Sequence, residues 1–342
     1  MELNNNKATL TLEDGVSIVV VSYNGAERLI PTLKHLANQE SIGFCVEVIL
    51  VDNCSTDNTR EIAKSFWHEL GIPFPLRIVQ ETQAGTMFAR KKGIEVSSYR
   101  YLLYCDDDNW LCKHYLSTAY NIISKDPNIA ALGGCGYMQY EHNFMPPNWI
   151  KDYEKNYGTG PQGREDGDTT FSKGCLYTAG TILDKAWLDK LYAKGFASAL
   201  EGRIGDTLIA GEDTELTYAL KLIGGKLYYS SKMTFQHFMP KKRITWGYLK
   251  RLWFSFGYSN YIISPYNEFY QKRKQLNKVH YLIKRIKEIV KLSLIITKHQ
   301  LSEGQKPVLE RRWKLGEIKA MIYSSKKYQK VQKTIQKLQI DS

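Results

Sequence analysis

Residues 101–108 read Tyr101-Leu-Leu-Tyr-Cys-Asp-Asp-Asp108, an apolar, aromatic run closed by three consecutive carboxylates. Its side chains suit a covered, pleated surface, and the spacing predicts a buried strand. Three like charges at the end of such a strand raise one another's pKa unless a cation sits among them. Asp106 and Asp108, on alternate residues, suit a hard divalent ion that also takes phosphate oxygens. The plain alternative is a solvated acidic turn.

The segments before this one repeat its pattern. Val16-Ser-Ile-Val-Val-Val-Ser22 is continuously apolar and β-branched, as a parallel strand covered on both faces should be. It ends at Tyr23-Asn24-Gly25, after which Leu29, Leu33, Leu36 and Ala37 recur on one helical face. A second strand, Val46 to Val51, ends at Asp52-Asn53, and Ser55-Thr-Asp57 supplies capping groups for the next helix. A third strand, Leu76 to Val79, leads to Gly85 and a helical stretch from Met87 to Val96. This β-α-β-α alternation predicts a doubly wound α/β sheet, whose ligands bind beyond the carboxyl ends of the strands. Tyr23, Asn24, Asp52, Asp106 and Asp108 all fall there.

The remainder is less regular. Residues 139–172 hold Pro146, Pro147, Trp149, Pro161 and several glycines without a period, which reads as a long functional excursion. Ala186, Leu188, Leu191 and Tyr192 mark a helix before Gly195. Gly211-Glu-Asp-Thr-Glu215 runs into another, with Leu216, Ala219, Leu220 and Ile223, stopped by Gly224-Gly225. A strand from Lys226 to Tyr229 follows, and His237 is read as lying after it.

Charge divides the chain at about residue 239. From Met239 onward there are 24 Lys and Arg against 6 Asp and Glu; residues 1–238 hold 23 against 29. This predicts two parts, an acidic nucleotide-binding region over 1–238 and a basic, mainly helical region over 239–342. In the latter, Leu282, Ile286, Ile289, Val290 and Ile296 form one apolar stripe, and Tyr328, Val331, Ile335 and Leu338 another. Such stripes either pack on the first region or lie on an anionic membrane surface. A nucleic-acid partner is not expected, because basicity is unaccompanied by any nucleic-acid motif. No apolar run reaches membrane-spanning length, and Met1 to Lys7 shows no apolar signal segment, so a cytoplasmic location is expected. Cys45, Cys54, Cys105, Cys112, Cys135 and Cys175 show no Cys-x-x-Cys spacing and read as packing residues in a reducing compartment.

In order, Val21-Ser-Tyr-Asn24, Val51-Asp-Asn-Cys-Ser-Thr-Asp57, Gly85 to Arg90, Asp106-Asp-Asp108, Gly211-Glu-Asp-Thr-Glu215 and His237 resemble the inverting nucleotide-sugar glycosyltransferases of family 2. The resemblance covers about residues 16–258 and rests on the order of the set, each motif being weak alone. It implies a GT-A type, Rossmann-like mixed sheet. It also implies transfer of a sugar from a nucleoside diphosphate donor to a hydroxyl of a growing polysaccharide or lipid-linked glycan.

The roles it implies fall on particular residues. Asp108 and Asp106 would hold Mn²⁺ or Mg²⁺ to stabilise the charge on the leaving diphosphate, with His237 completing the shell or simply packed. Asp106 and Asp107 would also meet the nucleotide. Asp213 would be the base that takes the acceptor's proton, Glu212 the runner-up, and Glu215 would orient neighbours. Asp52 would read a pyrimidine, favouring a UDP-sugar, unless it only closes an Asx turn. Ser22, Tyr23 and Asn24 would line the nucleoside. Arg90 and Arg243 would approach the diphosphate, and Arg203 is a weaker candidate. Trp149 would stack on a sugar or fill the excursion's core. The acceptor surface is expected in 139–172 and the basic region.

Two alternatives, and a third less favoured one, are weighed against the sequence. A sugar nucleotidyltransferase would carry a glycine-rich, basic loop after the first strand, where Ser22-Tyr-Asn-Gly-Ala-Glu27 has one Gly and no Lys. A noncatalytic saccharide- or membrane-binding relative would not be expected to keep Asp106, Asp108 and Asp213 together. A dehydrogenase lacks its Gly-x-Gly-x-x-Gly.

Overall fold

Strand and helix alternate through the N-terminal half in the predicted order. The computed structural model describes residues 13–41, 43–203, 207–272 and 277–339, so Met1 to Lys7 lie outside the described residues. The elements are β1 (Glu13–Ser22), α1 (Leu29–Ala37), β2 (Cys45–Asn53), α2 (Thr59–Glu69), β3 (Leu76–Glu81), α3 (Thr86–Val96), β4 (Tyr99–Asp106), β5 (Asn109–Leu111), α4 (Tyr115–Ile123) and β6 (Ile129–Tyr140). Then come β7 (Gly160–Pro161), β8 (Gly167–Asp168), β9 (Ile182–Asp184), α5 (Lys185–Ala193), α6 (Glu212–Leu222) and β10 (Lys226–Met239). Four helices close the chain: α7 (Trp246–Tyr270), α8 (Lys278–Lys298), α9 (Lys306–Tyr323) and α10 (Ser325–Gln339).

The sheet runs β3-β2-β1-β4-β9-β6-β10-β5, with β7 on β6 and β8 on β10. β1 to β4 are parallel, and β9 enters antiparallel between β4 and β6. Alternation along β1 sends Ile18 and Val20 to the face covered by α1, α2 and α4. Val19 and Val21 face α3, α5, α6 and α7.

Three elements differ from expectation. β10 runs on to Met239, and its register against β6 shifts between Tyr229 and Thr234. That irregularity lets one strand pass through the polar Ser230-Ser-Lys232 step, so His237 lies within the strand rather than after it. The excursion is not bare loop: short helical turns bury Ile150, Tyr153 and Tyr157 against α7 and Val308 and Leu309 of α9. The stripe read over 282–296 splits. Leu282 and Ile296 pack inward, while Ile286 and Val290 are exposed beside Val279, Ile283 and Leu294.

The basic region shares the first region's core. Tyr261, Ile262 and Tyr266 of α7 join Leu216 and Leu220 of α6, and Val331, Ile335 and Leu338 of α10 complete the same cluster. α7 is capped by Thr245, whose hydroxyl accepts from the Tyr248 amide at 3.1 Å. Pro265 interrupts its bonding, and the Ser264 hydroxyl donates to the freed Tyr261 carbonyl at 2.9 Å.

α7 and α9 meet backbone to backbone at Gly257 and Gly316. A β-carbon on Gly257 would lie 2.0 Å from the Trp313 carbonyl oxygen, and one on Gly316 2.0 Å from that of Phe254. Both obstacles are backbone, so only a separation of the helices relieves the clash. Gly257→Ala is expected to destabilise the protein by about 1–3 kcal/mol, read from urea unfolding midpoints.

Candidate functional site

Strand register gathers the polar motifs at one edge. Ser22 pairs with Asp52 across β1 and β2, Val21 with Asp106 across β1 and β4, and His237 with Asn109 across β10 and β5. A cleft of about 900 Å³ opens there, lined by Tyr23, Asp106, Asp107 and Asp108 at one part and by Glu212 and Asp213 at another.

Each of the three aspartates has a different cation. Asp106 Oδ1 lies 3.5 Å from Arg90 of α3. Asp107 accepts from Arg28 Nη2 at 2.8 Å and from the Ser22 hydroxyl at 2.6 Å. Asp108 meets Arg243 Nη1 at 3.0 Å and His237 Nε2 at 3.3 Å. Burial would push the Asp108 carboxyl up, but His237, Arg243 and Arg28 overcome it and hold the group well below the usual carboxylate range. Asp107 goes the other way. Burial and the neighbouring Asp108 charge raise it against the opposing pull of Arg28 and Ser22.

Arg28 escaped the sequence reading. It also donates to the Tyr23 and Asn24 carbonyls at 3.1 and 3.0 Å, pinning the loop after β1 to Asp107. Its position one turn after the strand was the available signal, but one arginine on a helix start does not announce a buried partner.

Several expected contacts fall elsewhere. Ser22 is buried and turned to Asp107 rather than to the cleft. Asn24 ties the loop after β1 to the loop after β2, accepting from the Thr56 amide at 2.8 Å. Asp52 accepts from the Ser55 amide, three residues on, at 3.1 Å and meets Arg60 at 3.3 Å. The cleft is lined instead by Asn53 and Cys54. Asn53 is held by the Gly85 amide, which donates to Oδ1 at 2.8 Å. Tyr23 lines the cleft and is half exposed. Trp149 packs edge-on against Trp246 at 5.3 Å and fills the excursion's core.

Arg90 is buried between two acids, with Nη1 2.9 Å from Glu212 Oε1. Its guanidinium also covers the Tyr104 ring at 5.5 Å. It therefore links Asp106 to the start of α6 while also lining the cleft. Burial and the adjacent Asp213 raise the Glu212 carboxyl, against Arg90 and Arg203. Asp213 lines the cleft; its Oδ1 accepts from the Thr214 amide at 2.7 Å, and its Oδ2 accepts a long bond from the Thr178 amide at 3.4 Å. Glu215 is turned away and holds the chain at 198–200, accepting from the Ser198 hydroxyl at 2.5 Å and the Ala199 amide at 2.9 Å. Arg203 is exposed and lines the cleft.

Among the described residues no three His, Cys, Asp or Glu side chains converge as a metal cage. Asp108 and His237 nevertheless face each other at 3.3 Å. Two protein donors fit an ion that takes its other ligands from water and phosphate. Asp106 is drawn toward Arg90 instead.

The sequence model described as "Glycosyl transferase family 2" matches residues 17–190. The chain belongs to that family. It is 26% identical over 250 residues to glycosyltransferase GlyA of Streptococcus pneumoniae, covering 71% of this chain and 32% of that protein. It is 30% identical over 135 residues to chondroitin synthase of Escherichia coli, covering 39% of this chain and 19% of that protein. The chain thus spans about a third or less of the length of these two relatives. Residues 1–349 of TarS from Staphylococcus aureus, solved with UDP, superpose with a TM-score of 0.50 at 16% identity, covering 96% of this chain and 88% of that one. The fold of this family 2 member is GT-A.

Asp108 supplies a pH test. Its depressed pKa stabilises the fold above the unfolded carboxylate value, about 3.9, and that contribution is lost as pH falls further. Asp108→Asn is expected to be less stable than the native chain at pH 7, with the gap narrowing below about pH 4 in urea titrations.

Proposed function

We propose that the chain is a divalent-cation-dependent, inverting glycosyltransferase that moves a hexosyl or N-acetylhexosaminyl unit from a UDP-sugar to a hydroxyl of a glycan or lipid-linked saccharide. The observation that carries this reading is the single cleft shared by Asp108 with His237 and by Asp213. TarS, solved with UDP, supports a uridine donor.

Asp108 and His237 would hold Mn²⁺ or Mg²⁺, which supplies charge stabilisation to the departing diphosphate. Arg243, already at Asp108, adds a fixed positive charge beside that position. Tyr23 offers an exposed ring for the base. Asp213 accepts the acceptor's proton, since Glu212 is engaged by Arg90 and Asp213 is not. Attack from Asp213's part of the cleft, opposite the leaving group, inverts the anomeric centre. Asp213→Asn is expected to bind UDP as the native chain does in calorimetry with Mn²⁺, while sugar transfer falls at least about a hundredfold. Undiminished transfer would remove Asp213 from the role, and UDP binding indifferent to Mn²⁺ would remove the cation.

The second part of this reading is a surface. Among the described residues no helix is long and apolar enough to cross a membrane. α8, however, exposes Val279, Ile283, Ile286, Val290 and Leu294 in one stripe. Exposed Lys284, Lys287 and Lys291 flank it. An apolar ridge with a lysine row suits the anionic cytoplasmic leaflet. The chain is expected to float with vesicles containing phosphatidylglycerol and not with phosphatidylcholine alone, and Ile286→Asp with Val290→Asp to abolish flotation. Flotation that survives both changes, or self-association through this face instead, would end the membrane reading.

A further inference from the structure

Beyond Asp213 the cleft acquires a second wall of different chemistry. α7 contributes Phe256, Asn260, Ile263 and Asn267, and α9 contributes Trp313. No charged residue of α7 or α9 is among the described lining, whereas the opposite part holds Asp106 to Asp108, Arg28 and Arg243. These helices lie outside the stretch 17–190 that the family's sequence model matches.

The polar groups on this wall are fixed from behind. Asn260 Nδ2 and Trp313 Nε1 both donate to Glu317 Oε1, at 3.3 and 3.0 Å. The Tyr218 hydroxyl donates to Asn267 Oδ1 at 3.1 Å. Each amide spends one end on this scaffold and keeps the other for hydrogen bonding. Glu317 is 1% exposed, and Arg285 of α8 meets its other oxygen at 2.6 Å. Trp313 is further held edge-on by Trp253 at 5.9 Å. The glycine crossing at Gly257 and Gly316 fixes the helix that carries it.

A half-buried indole beside two oriented amides, without formal charge, matches a sugar ring: the indole takes the C–H face and the amides take hydroxyls. A carboxylate or phosphate would find no cation among the described residues that α7 and α9 turn to the cleft. We propose that this wall is the acceptor subsite and that it receives an uncharged glycosyl unit. Trp313 stacks on the ring, Asn260 and Asn267 bond its hydroxyls, and Glu317 is a positioning residue beneath them. The assignment rests on the glycosyl-transfer reading and adds the chemical class of the acceptor.

The test uses the full chain with UDP and Mn²⁺ on an array of defined neutral and acidic oligosaccharides, alongside calorimetry of UDP alone. The native chain is expected to retain neutral members. Trp313→Ala is expected to lose them by about tenfold or more, an amount worth about 1.4 kcal/mol, with UDP affinity unchanged and Trp313→Phe partly restoring capture. Asn267→Ala, whose side chain is small and peripheral to the core, should weaken the same glycans and serves should Trp313→Ala misfold. Glu317→Gln, which keeps an acceptor oxygen, should weaken them less than Glu317→Ala does. Unchanged glycan capture in Trp313→Ala and Asn267→Ala would overturn the subsite. So would capture of acidic glycans only, or of none by a native chain that binds UDP. A native chain that binds no UDP would instead sink the donor reading, and the subsite with it.

Discussion

Three carboxylates on consecutive residues at the end of a buried strand are the constraint around which the cleft is built. Left to themselves they would protonate or pull the strand end into solvent. The fold answers with one cation for each, drawn from separate parts of the chain: Arg90 from α3, Arg28 from the start of α1, and Arg243 with His237 from beyond and within β10. Because those donors are far apart in sequence, satisfying the charges also brings the loop after β1, the helix after β3 and the end of β10 to one place. Charge compensation and assembly of the cleft are the same event.

Much of this was readable in order along the chain. β-Branched runs gave β1 and β2, an apolar, aromatic run gave β4, and the polar residues that close them fell where a doubly wound sheet exposes its ligand edge. What escaped has physical causes. β9 has three residues, too few for a period, and β6 carries Gly133, Gly134 and Gly136, which weaken any strand signal. His237 looked like a post-strand residue because Ser230-Ser-Lys232 interrupts the hydropathy that β10 carries across an irregular register.

Side-chain direction was the harder quantity. Ser22 turns to Asp107, Asp52 accepts from the Ser55 amide, and Asn53 lines the cleft while its amide holds the loop after β3. A period-two strand puts neighbours on opposite faces, so a motif of adjacent polar residues cannot name which one meets the ligand. The basic region posed the same difficulty at larger scale. The stripe on α10 is core and that on α8 is divided between core and surface, and the sequences of the two look alike.

The bare crossing of α7 and α9 has a mechanical consequence. Interleaved side chains between helices let one slide a little against the other by changing rotamers. Backbone resting on backbone at Gly257 and Gly316 has no such cushion. α9 therefore moves with α7 as one stiff piece, and Arg285 clamps α8 to it through Glu317. The position of the Trp313 indole is thereby tied to the backbone of α7 and, through Glu317, to α8.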